Sequence, residues 1–402
     1  MAQSKIIAAV EMGSSKIVVL VGEAIEGRTV NILGMGEHPT NGIKKGEITD
    51  LKTASACTHT ALLKAERSAG TTIEGVYLAA TGSHLEGFSN RGIANVSASD
   101  NFVTRADITR AVENAKSKAL PPGRVYVHHI RSGFTLDGRP VDDPTTMAGE
   151  TLETSYWHVH GDEMKISNAL RVINGFSLNV DDMILSSIAS GRMVCTEEDR
   201  KAGVLVIDIG AGTTDYALYK NGNAIRTGVI AVGGDHLTND LSLGLRINAK
   251  SAESIKLRYG KAEIDKDDKN DNVLLLGDLS IGDRPIPRLA IYKILHARID
   301  ELLIIIKNKL GSMASPQHVP AGVVLTGGTA RLPNIVDAAE RIIGLPARLG
   351  ELDSAVNNRD LRQHEYATAL GLLYYGAHAQ RPRDERREAG ILSKLTTFLK
   401  FN

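Results

Sequence analysis

Gly203-Val204-Leu205-Val206-Ile207-Asp208-Ile209-Gly210-Ala211-Gly212-Thr213-Thr214-Asp215 decides how this chain is read. An apolar, β-branched run enters a turn built from an acidic residue, two glycines and two small hydroxyls. A second apolar run, 216–219, leaves it. Glycine lets a backbone approach an anion closely, so that successive N–H groups point at it. Serine and threonine hydroxyls add donors without bulk. The same pattern stands about 200 residues earlier: an apolar run at 6–10, the turn Glu11-Met12-Gly13-Ser14-Ser15-Lys16, and an apolar run at 17–21. Two copies of one supersecondary unit predict two similar halves around a cleft. The opposed turns would clamp a triphosphate from both sides. Glu11 and Asp208 would hold Mg2+ through its water shell, because Mg2+ keeps several waters beside one or two carboxylates.

A third glycine turn follows a strand at 323–325: Thr326-Gly327-Gly328-Thr329-Ala330-Arg331. Lacking side chains, it would leave room under a nucleoside. There is no Gly-x-x-x-x-Gly-Lys-Ser/Thr loop, which excludes a P-loop NTPase. No Gly-x-Gly-x-x-Gly opens a helix after the first strand, which argues against a dinucleotide fold.

Farther out, helical spacing marks 51–68, 105–119, 167–175, 183–193, a block at 235–259, 288–310 and 363–378, with a strand at 29–33 and another at 76–80. Residues 84–161 change texture to short alternating pieces and read as an inserted α+β subdomain. Residues 261–272 are highly charged and read as a solvated loop. The 402 residues exceed one compact core. With 47 Lys+Arg against 47 Asp+Glu, the chain lacks the basic excess of a nucleic-acid binder. Cys57 and Cys195 are too few for a disulfide scaffold and read as buried thiols of a reducing cytosol. No apolar run reaches about 18 residues, so membrane contact is expected to be peripheral.

Together these turns resemble the actin/Hsp70/sugar-kinase superfamily, and within it the FtsA family of bacterial cell-division proteins. Three further stretches carry the likeness: Val232-Gly233-Gly234-Asp235-His236-Leu237-Thr238-Asn239-Asp240, Ala252-Glu253-Ser254-Ile255-Lys256, and Leu136-Asp137-Gly138 with 144–152. The resemblance implies an α/β, actin-like two-lobe ATPase fold with repeated RNase H-like domains. Residues 1–83 and 162–195 would form the first-lobe core and 84–161 the FtsA-type insertion. Residues 196–227 and 305–379 would form the second-lobe core, with 228–304 its smaller subdomain. A linker at 380–389 would lead to an amphipathic membrane-targeting helix at 390–402.

It further implies ATP (or ADP) with Mg2+ in the cleft. Gly13, Ser14, Ser15 and Lys16 would lie on one side of the phosphates, and Asp208, Gly210, Gly212, Thr213 and Thr214 on the other. Gly233 and Gly234 would approach the sugar-phosphate, while Glu253 and Lys256 would reach ribose or base unless they form only an exposed ion pair. Gly327, Gly328 and Arg331 would border adenine, and Thr81-Gly82-Ser83 would also line the cleft. The chain departs from the family in carrying Glu11 where Asp is usual and Thr146 where Gly precedes the methionine. No general base is marked, so the chain is expected to be at most a slow Mg-dependent ATPase and mainly an adaptor.

The tail places Ile391, Leu392, Leu395, Phe398 and Leu399 on an arc about 120° wide, with Lys394, Lys400 and Phe401 beside it. A basic-rimmed apolar helix suits an anionic lipid surface. Docking on its own core is the other reading. From Arg381 onward there are six Lys/Arg and three Asp/Glu, so neutrality conceals a basic tail. The family's partner, the C-terminal tail of FtsZ, would meet Arg298 on the 288–310 helix, where an internal ion pair is the alternative. Self-assembly into filaments, other division proteins, and a site on the cytoplasmic face of the inner membrane at the division site complete the expectation. A sugar or acetate kinase, a reactivating ATPase, and a pilus-assembly or rod-shape scaffold are the rivals.

Overall fold

The computed structural model describes residues 5–25, 29–98, 100–268, 271–275, 284–352, 356 and 358–379. The strands Lys5–Met12, Lys16–Ile25 and Thr29–Pro39 form an antiparallel meander. Gly75–Ala80 and then Asn179–Leu185 extend it in parallel on the other side. Val204–Ile209, Thr214–Lys220 and Asn223–Ile230 repeat the meander. Val323–Thr326 and Ala347–Leu349 repeat the parallel extension. The repeat read from two turns thus covers two whole five-stranded sheets of one topology. Both turns are closed by the same bond: Gly13 N–H donates to Lys16 O over 3.0 Å, and Gly210 N–H to Thr213 O over 2.9 Å.

Parallel neighbours need crossover helices. Leu51–Ala69 supplies one; Asp50 caps its start and Gly70, at φ 64°, ends it. Glu163–Asn174 supplies the next. In the second half, Gly234–Leu245, Ala249–Tyr259 and Arg288–Leu310 make the long crossover and Ile335–Ile343 the short one. Between the sheets lie Ser186–Val194 and Ala367–His378. Their core joins Ile7, Ala9 and Leu20 of the first sheet to Val204, Val206 and Ala217 of the second.

The inserted unit is a four-stranded sheet ordered Glu86–Asn95, Thr151–Asp162, Arg124–Leu136, Arg139–Val141, covered by the helix Arg105–Lys116. Trp157 anchors it to the second lobe. Its Nε1–H donates to Thr227 Oγ1 over 3.0 Å, and the Arg226 guanidinium lies 4.6 Å from its ring. Thr146 holds φ 65°, the left-handed region, which is why glycine suits this place and a β-branched residue strains it.

Several expected elements change. The run 183–193 is not one helix: 183–185 completes a strand and the helix begins at Ser186. A short apolar run does not reveal its own period. The block 235–259 breaks where Arg246 turns left-handed at φ 56°, and Asn248 caps the second helix. The last helix starts at Ala367, after a 3-10 turn over His364–Tyr366. The strand expected at 29–33 runs on to Pro39. The tail residues 391–401, with the whole segment 380–402, lie outside the described residues.

Candidate functional site

The turns of both sheets converge on one cavity of about 690 Å³. Gly13, Ser14, Ser15 and Lys16 line it from the first lobe. Asp208, Gly210, Gly212 and Thr213 face them. Gly234, Glu253 and Lys256 form one wall, and Gly327, Gly328 and Arg331 another. Gly212 sits at the seam: a Cβ there would stand 2.3 Å from Ser14 Oγ of the other lobe. Gly327 has φ 87°, and its missing Cβ leaves space that Asp208 Oδ1 would otherwise contest at 2.4 Å.

Of 81–83 only Thr81 lines the cavity, and two of the expected nucleotide contacts stand behind the wall. Thr214 is fully buried and its hydroxyl donates to Val232 O over 2.8 Å. Strand alternation explains this, since Thr213 and Asp215 point into the cavity and the residue between them points away. Gly233 caps the helix Gly234–Leu245. A Cβ on it would meet Gly210 O and Ala211 O at 2.6 Å, so it lets two chain segments pack closely.

Lys256 donates to Gly234 O over 3.0 Å and to Thr238 Oγ1 over 2.8 Å, and pairs with Glu253 at 2.7 Å. The ion pair is present and forms part of the wall. Lys16 is held at the mouth by Glu37 at 2.9 Å and Glu365 at 3.5 Å, 3.9 Å from the Tyr366 ring centre. Arg331 meets Glu365 at 2.9 Å, so alternating charges cross the opening. Arg298 is half-buried at the edge of its helix's buried stripe, beside Leu295 and Ile299. It grips Asp240 through Nε at 2.6 Å and Nη2 at 3.1 Å, and also bonds Glu301.

The floor is acidic. Glu11, Asp208 and Asp215 all line it. Burial, reinforced by the neighbouring Asp208 charge, pushes Glu11 up to about 8. Burial raises Asp208 to about 6, against a hydrogen bond from Thr368 Oγ1 at 3.0 Å. Burial and Asp208 raise Asp215 to about 8, although Thr81 Oγ1 donates to it at 2.9 Å across the cleft. Glu11 Oε2 is buried without a hydrogen-bond partner. An orphaned buried oxygen among mutually repelling carboxylates suits a cation. Among the described residues no group of three or more His, Cys, Asp or Glu is placed to hold a bare ion, so a hydrated one fits this floor best. Sequence reasoning missed Asp215 as a cavity residue, although in the hairpin it lies directly opposite Asp208.

These shifts set a pH dependence. The folded protein keeps protons on Glu11 and Asp215 that the unfolded chain has lost above about pH 4.5. Their contribution to stability is therefore fully present below that pH and is lost as pH rises toward 8. Glu11→Gln, without metal or nucleotide, is expected to raise the melting temperature at pH 8 by about 4 °C and leave it little changed at pH 4.5. Melting curves at both pH values check this; an equal shift at both contradicts it.

Comparison with known proteins agrees with this geometry. A family model described as cell division protein FtsA matches residues 205–371, and one described as the SHS2 domain inserted in FtsA matches residues 82–160. The cell division protein FtsA of Pseudomonas aeruginosa is 33% identical, covering 94% of this chain and 90% of its own. That of Escherichia coli strain K12 is 30% identical, covering 98% and 96%. Among solved structures, the PilM-PilN type IV pilus biogenesis complex aligns at a TM-score of 0.66 with 16% identity, covering 93% of this chain and 99% of that one. MreB5 of Spiroplasma citri bound to ADP aligns at 0.53 with 14% identity, covering 92% and 96%. These structures share the actin-like two-lobe fold, and the inserted subdomain of this chain is the segment that the SHS2 model matches.

Proposed function

The chain belongs to the FtsA family of cell division proteins, and we propose that it binds ATP or ADP with Mg2+ between its lobes and acts as a membrane-bound adaptor for FtsZ. One observation carries the nucleotide reading: glycine turns from two sheets of identical topology meet on one cavity above the carboxylates of Glu11, Asp208 and Asp215. Its size lies in the range of small-molecule sites. The MreB5 structures, described as bound to ADP and AMPPNP, carry nucleotides on the same fold.

With the Gly13 and Gly210 N–H groups closing the turns, the backbone N–H groups of 14–15 and 211–213 would bind phosphate oxygens from opposite lobes. Glu253 and Lys256 would meet the ribose or base, and Gly327, Gly328 and Arg331 would border adenine. Bound Mg2+ would neutralise phosphate charge, held through water by Glu11, Asp208 and Asp215. Asp215, its carboxyl held in place by Thr81 Oγ1, would orient a water of that shell. Contacts from both lobes favour the closed arrangement, which makes the nucleotide first of all a switch.

The wider role rests on family membership and on the tail. The chain would assemble with copies of itself on the cytoplasmic face of the inner membrane at the division site. The tail residues would insert there, and other division proteins would join. Among the described residues no helix is long and apolar enough to cross a membrane. The FtsZ tail would meet the smaller second-lobe subdomain near Arg298. Because Asp240 and Glu301 already hold that guanidinium, an acidic peptide must displace the more exposed of them, Glu301.

Calorimetric titration tests the nucleotide reading. One ATP per chain is expected to bind in the presence of Mg2+, more weakly when EDTA is added. Absence of heat at millimolar ATP contradicts it.

A further inference from the structure

A hairpin that none of the glycine turns above includes packs against both phosphate turns at the edge of the cavity. Strands Ile43–Lys44 and Glu47–Ile48 pair antiparallel, leaving Lys45 and Gly46 as a two-residue turn. Both have positive φ, 52° and 73°, the signature of a type I′ turn. Asparagine and glycine suit such a position; lysine costs conformational energy there. The approach to the turn is tied to the first phosphate turn. Thr40 N–H donates to Ser15 O over 2.9 Å, Thr40 Oγ1 to Gly13 O over 2.8 Å, and Gly46 N–H to Ser14 Oγ over 3.0 Å.

The tip also reaches the other lobe. A Cβ built at Gly212 would lie 2.9 Å from Lys45 N. The Lys45 charge acts on His236, in the first turn of the second-lobe helix Gly234–Leu245, and adds to burial in holding that imidazole below its usual value. Lys45 itself is exposed, and among the described residues it enters no ion pair. An unneutralised cation in a conformation that disfavours it therefore stands at the seam of Ser14 and Gly212.

We propose that Lys45 distinguishes nucleoside triphosphate from diphosphate, its ammonium binding the terminal phosphate at the seam between the two phosphate turns. The inference rests on the cleft being a nucleotide site. Through the hairpin, that contact would report to both lobes whether the terminal phosphate is present.

Lys45→Gly and Lys45→Asn both suit the turn, so they remove the charge without disturbing the fold. Dissociation constants for ATP and for ADP, each with Mg2+, are measured on the full chain by competition with a fluorescent nucleotide. Both variants are expected to weaken ATP about tenfold and to leave ADP within about twofold, as one lost charge-assisted contact implies. Lys45→Arg is expected to restore most of the ATP affinity. Unchanged ATP affinity, or equal losses for ATP and ADP, overturns the role of Lys45. If the unaltered protein binds neither nucleotide, the reading of the cleft falls, and this inference with it.

Discussion

Gly212→Val is expected to weaken ATP binding about a hundredfold while the chain still folds. A Cβ at this position would stand 2.3 Å from Ser14 Oγ and 2.7 Å from Ser14 Cβ. Both atoms belong to the other lobe, so the clash is relieved by opening the cleft. Gly212 is not among the residues with positive φ, so its own turn tolerates a side chain. An open cleft cannot bring both sets of N–H groups onto one phosphate chain. Losing two charge-assisted hydrogen bonds at about 1.5 kcal/mol each gives about the stated factor. Affinity by titration and stability by thermal melting separate binding from folding. Pairing Gly212→Ala with Ser14→Gly is expected to recover part of the affinity, because the two nearest partner atoms leave with the serine while Lys45 N, at 2.9 Å, remains. Full affinity in Gly212→Val would show that the seam does not close on the ligand.

A chain ending at residue 380 is expected to lose its binding to vesicles of anionic lipid while keeping its nucleotide affinity. If 391–399 form the expected helix, its five apolar residues would supply the buried surface, and each nearby Lys or Arg would add about 1 kcal/mol at an anionic surface. One such helix binds weakly. Copies held together on an assembly bind as a set through effective concentration. Pelleting with phosphatidylglycerol vesicles is therefore expected to increase steeply with protein concentration for the full chain and to stay at background for the shorter one. Equal pelleting of both would move the lipid contact onto the body of the protein.

How much of this was legible in the sequence varies by residue. The 203–215 stretch revealed its hairpin because β-branched residues, glycine and small hydroxyls fall in an order that serves both strand and anion. Asp215 escaped notice as a site residue although alternation places it on the face of Thr213. Its partner Thr81 lies 134 residues away, beyond any local pattern. Lys16 pairs with Glu365 across 349 residues, so only the closed fold brings that charge ladder together. The 43–48 hairpin was passed over because strands of two residues have no period to detect. The 183–193 run misled because an apolar segment buried on all sides looks the same as strand or helix. Arg298 was legible as a cation needing a partner, but Asp240 lies on another helix, within the Gly-Gly-Asp-His stretch read for a different purpose.

The central claim is that one nucleotide clamps turns from both lobes. Amide hydrogen exchange of the full chain, with and without ATP and Mg2+, tests it most directly. Slower exchange on nucleotide addition is predicted together at residues 12–16, 210–214 and 327–331, with the inserted sheet unchanged. Protection confined to the turns of a single lobe, or absent from all three, would contradict the account.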